Sequence, residues 1–138
     1  MVAAVAFTLT DADDLTGLLD AVEAFGDAEG LPMKTVMTLN LLLEELVTNA
    51  IQYGAGPDGA KVSVRAELRG GAVHAAVRDN GSAFNPLLHE APDLDASIDD
   101  RPIGGLGLHI VRQMAQNPVY ERQGTENVLT FELTIEEG

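Results

Sequence analysis

Apolar and other side chains alternate from residue 4 to residue 9, with Val5, Phe7 and Leu9 on one side. A period of two predicts a strand. Thr10, followed three residues later by Asp13, offers a helix start. Leu15, Leu18, Leu19, Val22 and Phe25 then recur at helical spacing, and Gly26 and Gly30 are expected to close that helix. Pro32 suits the first turn of a second helix. Its apolar stripe is Leu39, Leu42, Leu43, Leu46 and Ala50, with Gly54 as its C-terminal cap.

The pattern then returns to period two. Val62, Val64, Ala66 and Leu68 point one way, while Lys61, Ser63, Arg65, Glu67 and Arg69 point the other. Gly70-Gly71 is a favoured hairpin turn, and Val73, Ala75 and Val77 continue the apolar face. Residues 80–102 have little periodicity and many acids, which marks a long loop of the kind that is functional or mobile. A third helix is expected over residues 106–115, with Leu106, Leu108, Ile110, Val111 and Met114 nearly encircling it, and hence well buried. Residues 119–122 and 128–135 read as a last pair of strands around Gly124, with Leu129, Phe131, Leu133 and Ile135 inward. Helices on one face of a mostly antiparallel, mixed sheet make an α+β fold, a two-layer α/β sandwich.

Size and charge narrow the function classes. The 138 residues are expected to form one domain with a real core. There is no cysteine, which removes disulfides and thiolate metal sites. No apolar run approaches the roughly 20 residues of a membrane span, and no basic segment precedes an apolar one at the start, so the expected location is the cytoplasm. A formal net charge of −14 repels nucleic-acid phosphates and anionic membranes, so neither is an expected partner. The same charge also serves solubility alone.

Three constellations carry chemistry. Glu45 and Asn49 stand four apart on the second helix, on one face beside the leucine stripe. A carboxylate there can accept a proton, and an amide oxygen one turn on can ligate magnesium. The same pair also suits a solvated acidic face with Glu44. Asp79-Asn80-Gly81 follows a strand directly. A carboxylate at a strand end can accept from an adenine amino group, and a glycine lets backbone approach a flat base, though Asp-Asn-Gly is equally a turn sequence. Gly104-Gly105-Leu106-Gly107 enters the third helix, where backbone N–H groups and the helix dipole favour phosphate, or where the glycines form a hinge.

In that order and spacing the three together resemble the GHKL superfamily of ATP-binding domains, shared by histidine kinases, DNA gyrase and MutL. The single-domain length is most similar to its anti-sigma serine kinase branch, over residues 7–135. The resemblance implies a Bergerat-type ATP-binding fold with ATP and Mg2+ as cofactors. It implies Asn49 as magnesium ligand, Glu45 as the catalytic base, and Asp79 with Gly81 at the adenine. Gly104, Gly105 and Gly107 would lie under the phosphates, and residues 85–103 would form a lid over the nucleotide. Proteins of this branch phosphorylate a serine on an antagonist protein and sequester a sigma factor, so both are the implied partners.

This sequence departs from the family pattern at Gln52, where many relatives carry a basic residue. The lid is acidic, with Glu90, Asp93, Asp95, Asp99 and Asp100, which leaves magnesium, backbone N–H groups and Arg101 to meet the phosphates. His74, His89 and His109 have no metal-ligand spacing and read as structural. Members of this branch are commonly dimers, but no decisive homodimer stripe stands out. The alternatives to a kinase are a binding module with ATP structural or absent, and a nucleotide-dependent switch.

Overall fold

The computed structural model describes residues 4–54, 59–88 and 111–135. Strand β1 (Ala4–Leu9) leads into helices α1 (Leu15–Glu29) and α2 (Met33–Gly54), followed by strands β2 (Val62–Arg69), β3 (Ala72–Asp79), β4 (Gln116–Gln123) and β5 (Glu126–Thr134). The strands form one sheet in the order β1-β2-β3-β5-β4, and every described ladder is antiparallel. Short connections favour this outcome: β2 and β3 are joined by Gly70 and Gly71, both at positive φ as a two-residue hairpin turn requires.

Register decides which side chains face the helices. Phe7, Val64, Val77, Leu129 and Tyr120 align across all five strands, one row of the core face. They pack with Leu18 and Val22 of α1 and Leu39, Leu42, Leu43 and Leu46 of α2. The helices therefore cover one face of the sheet, giving the expected two-layer α+β sandwich. The other face presents Arg65, Glu67, His74, Thr130 and Glu132. No described helix is long and apolar enough to cross a membrane.

Several local expectations are refined. Asp11, not Thr10, caps the first helical turn, its carboxylate accepting from Asp13 N at 2.8 Å, while Thr10 N donates to the Asp14 carboxylate at 3.0 Å. Gly26 does not close α1. It lies inside the helix, where a Cβ would meet Val36 Cγ2 of α2 at 2.5 Å, so its lack of a side chain permits the close helix pairing. Gly30, in the left-handed conformation with φ 66°, ends α1, and Leu31 N returns to Gly26 O at 2.9 Å. Of the third helix, residues 111–114 are described: Val111 is buried, but Met114 is exposed, so this end is not encircled by core. Ile135 lies just past β5, and its N–H donates to Gly71 O at 3.0 Å.

Candidate functional site

The sheet register brings three polar residues together in the last row of the core face. Val62, Asp79, Asn127 and Arg122 are aligned across β2, β3, β5 and β4. Apolar Val62 begins this row on β2, and Asp79, Asn127 and Arg122 follow it on the next three strands. A cavity of about 40 Å³ opens there, lined by Leu46, Asn49 and Ala50 of α2, Val77 and Asp79 of β3, Phe84 of the following loop, and Tyr120, Asn127 and Leu129 of β4 and β5. Residues 30 apart in the chain, Asn49 and Asp79, thus share one enclosure.

Asp79 is held firmly. Its Oδ1 accepts from Gly81 N at 2.9 Å and from Asn127 Nδ2 at 3.0 Å. Among the described residues these contacts engage one oxygen and leave Oδ2 as an acceptor for a ligand. Asn80 ties the same turn back to the segment leading into β2, its side chain accepting from Lys61 N at 2.9 Å and donating to Gly59 O at 3.2 Å. Gly81 is buried, and its carbonyl accepts from Arg122 Nη1 at 2.7 Å. Asp-Asn-Gly is therefore a turn, as its composition allows, and also a carboxylate mount.

On α2, Asn49 is buried at 6% exposure and faces the cavity. Glu45 lies one turn earlier, half-buried, and is not part of the cavity wall. Burial among apolar neighbours holds its carboxyl above the ordinary glutamate range, and the negative charge of Glu44 adds to the rise. Along this face Glu44 is exposed, Glu45 is half-buried and Asn49 is buried. Gly104, Gly105, Gly107 and Arg101, most of the expected lid, His89 and His109 lie outside the described residues. His74 is on the open sheet face, its Nδ1 3.3 Å from Glu132 Oε1.

Asn127 escaped the sequence reading. Nothing in Gly124-Thr125-Glu126-Asn127 distinguishes it from turn chemistry, and its strand position faces the core, where an amide is unusual. That polar interruption of an otherwise apolar inward row was the available signal.

The cavity combines an apolar floor with a fixed carboxylate oxygen and side-chain amides. Among the described residues no cluster of three or more His, Asp or Glu suits a metal ion. A larger hollow of about 480 Å³ lies on the open face of the sheet, between Arg65, His74, Val119 and Glu132. It contains none of Glu45, Asn49 and Asp79, and arises because Ala76 and Thr130 are short beside long charged neighbours.

Residues 8–133 match the profile of the histidine kinase-like ATPase domain. The chain belongs to this family. Within the histidine kinase-like ATPases, it is 31% identical over 97 residues to the serine/threonine-protein kinase BtrW of Bordetella bronchiseptica, a match covering 68% of this chain and 67% of that protein. It is also 31% identical over 106 residues to an uncharacterised sensor-like histidine kinase of Staphylococcus epidermidis, covering 75% of this chain but only 20% of that protein. Among solved structures, the RsbU and RsbW domains of a Mycobacterium tuberculosis protein align with a TM-score of 0.68 at 16% identity, over 97% of this chain and 33% of the other. The catalytic domain of the histidine kinase ThkA aligns with a TM-score of 0.51 at 17% identity, over 95% and 97%. The structural likenesses concern the fold. The similarity to BtrW accords with the serine kinase branch that the spacing and single-domain length resemble.

Proposed function

We propose that this histidine kinase-like ATPase domain is a protein-serine/threonine kinase. It transfers the γ-phosphate of ATP to a serine of an antagonist protein and, as its branch does, sequesters a sigma factor. The observation that carries this reading is the convergence of Asn49 and Asp79 on one cavity, with Glu45 a single helical turn away. Similarity to BtrW, a serine/threonine-protein kinase, supports a protein acceptor.

Each residue has a distinct task. Asp79 accepts a hydrogen bond from the exocyclic amine of adenine through the oxygen its own contacts leave over. Asn49 offers its amide oxygen to the cation that accompanies the phosphates. Magnesium, when bound, supplies charge neutralisation at the phosphoryl oxygens. Glu45 accepts the proton of the attacking serine hydroxyl while the serine oxygen bonds to phosphorus and the bond to the ADP oxygen breaks. Its raised pKa brings it nearer to neutral pH and makes it a stronger base than an exposed glutamate. A module that only binds a partner has no use for such a group. Gly104, Gly105, Gly107 and Arg101 are assigned to the phosphates on the motif alone.

The test is incubation with Mg2+, γ-labelled ATP and candidate antagonist proteins encoded nearby. Label is expected on a serine of one of them. Tight ATP binding without transfer to any would replace the kinase by a nucleotide-binding module.

A further inference from the structure

The buried side chain of Asn127, at 6% exposure, makes more hydrogen bonds than its place in a core row would suggest. Its Nδ2 donates to Asp79 Oδ1 at 3.0 Å and to Ser82 O at 2.8 Å. Its Oδ1 accepts from the Tyr120 hydroxyl at 2.6 Å, from Phe84 N at 3.2 Å and from Arg122 Nη1 at 3.2 Å. The partners fix which way the amide points. A carboxylate and a backbone carbonyl can only accept, and a backbone N–H and a guanidinium can only donate.

We infer that Asn127 is a positioning residue for base selection: it locks the Asp79 carboxylate and the loop through Phe84 into the arrangement that distinguishes an amino-bearing purine from an oxo-bearing one. This rests on the reading of Asp79 as the adenine contact. The chemistry requires an amide. Two donors must face one way and an acceptor the other, and a hydroxyl offers one donor while a carboxylate offers none. With Oδ1 held by Gly81 N and Asn127, the Asp79 oxygen that no described residue engages presents an acceptor at a set place. A 6-amino group meets it with a hydrogen, and a 6-oxo group meets it with a second acceptor, which leaves both unpaired. If Asn127 is removed, the carboxylate can rotate, and the discrimination falls with it.

The experiment measures ATP and GTP affinity by calorimetry on the full chain for wild type, Asp79→Asn, Asn127→Ala and the double variant. Asn127→Ala is expected to weaken ATP about tenfold or more and to shrink the ATP-to-GTP preference, the size of one lost charge-assisted bond. Because Asn127 acts through Asp79, the double variant should bind ATP within about threefold of Asp79→Asn alone, a coupling that mere loss of packing does not produce. Asn127→Asp, nearly isosteric, covers the case in which the alanine variant does not fold. It sets a second carboxylate against Asp79, with Arg122 and Tyr120 of β4 as the other charged or titratable groups in contact. ATP affinity should fall at neutral pH and recover towards acid pH relative to wild type, as one proton shared by the two acids restores a donor.

An unchanged ATP-to-GTP ratio in Asn127→Ala, or a full additive loss on the Asp79→Asn background, overturns the inference while leaving Asp79 in place. Affinity in Asn127→Asp equal to wild type at every pH also overturns it. Indifference of the wild-type site to Asp79→Asn removes the adenine reading, and this inference with it.

Discussion

A carboxylate loses hydration when leucines surround it, and Glu45 sits half-buried beside the stripe of Leu42 and Leu46. Its folded-state pKa is raised, so the folded chain holds that proton more tightly than the unfolded chain. The stability this contributes is complete below the ordinary glutamate range and is lost as pH rises through the raised folded value. At neutral pH the ionised side chain is therefore a net burden on the fold. Glu45→Gln should raise the melting temperature at neutral pH while abolishing phosphotransfer and sparing ATP binding. A calorimetric scan and a transfer assay check both halves, and a variant that still transfers phosphate would exclude Glu45 as base. Because Glu44 adds to the rise, Glu44→Gln should move the acid limb of the kcat/KM profile to lower pH, where an unmoved limb would remove Glu44 from the account. One turn on, Asn49→Ala should make nucleotide affinity much less dependent on magnesium, read from titrations with and without the metal. Glu45 and Asn49 were legible as a pair from their spacing of four. That Glu45 is half-buried and Asn49 enclosed depends on the sheet packed against α2.

Elements are held together by contacts that spacing alone only half reveals. Strand and helix alternation was readable because periods of two and 3.6 select different faces, and the register of β2 with β3 follows from the Gly70-Gly71 turn. The role of Gly26 was not readable, since a glycine late in a helix looks like an ending. It acts as a gap for Val36, a β-branched side chain with one favoured rotamer. Gly26→Ala gains roughly 1 kcal/mol of helix propensity but forces the two helices apart. Overpacking of this kind costs about 1–3 kcal/mol, so a net loss is expected in urea unfolding. Val36→Ala in the same chain should restore most of it. Failure of the second substitution to do so would place the cost elsewhere than at the α1–α2 contact. The end of the third helix shows the opposite case: hydrophobic residues all round predicted burial, yet Met114 is exposed, because a ring of apolar side chains does not state how many sides the fold covers.

At the scale of the molecule, a net charge of −14 on 138 residues makes the compact state repel itself. Raising ionic strength from about 10 mM to 150 mM shortens the screening length from roughly 30 to 8 Å and should raise the melting temperature without any ligand. A flat response would show that local pairs, such as Arg69 with Glu67 at 2.8 Å, already offset the repulsion. The sequence by itself determined the alternation of strands and helices and the two-layer α+β class, which follow from periodicity and turn chemistry along one dimension, and the order and spacing of its motifs carried the resemblance to the family. Only the tertiary structure decided that Asp79 is tethered through one oxygen, that Asn127 from a strand 48 residues later does the tethering, and that both meet Asn49 in one cavity. The reason is physical: hydrogen-bond partners across a sheet are chosen by register and burial, and neither exists until the strands have paired.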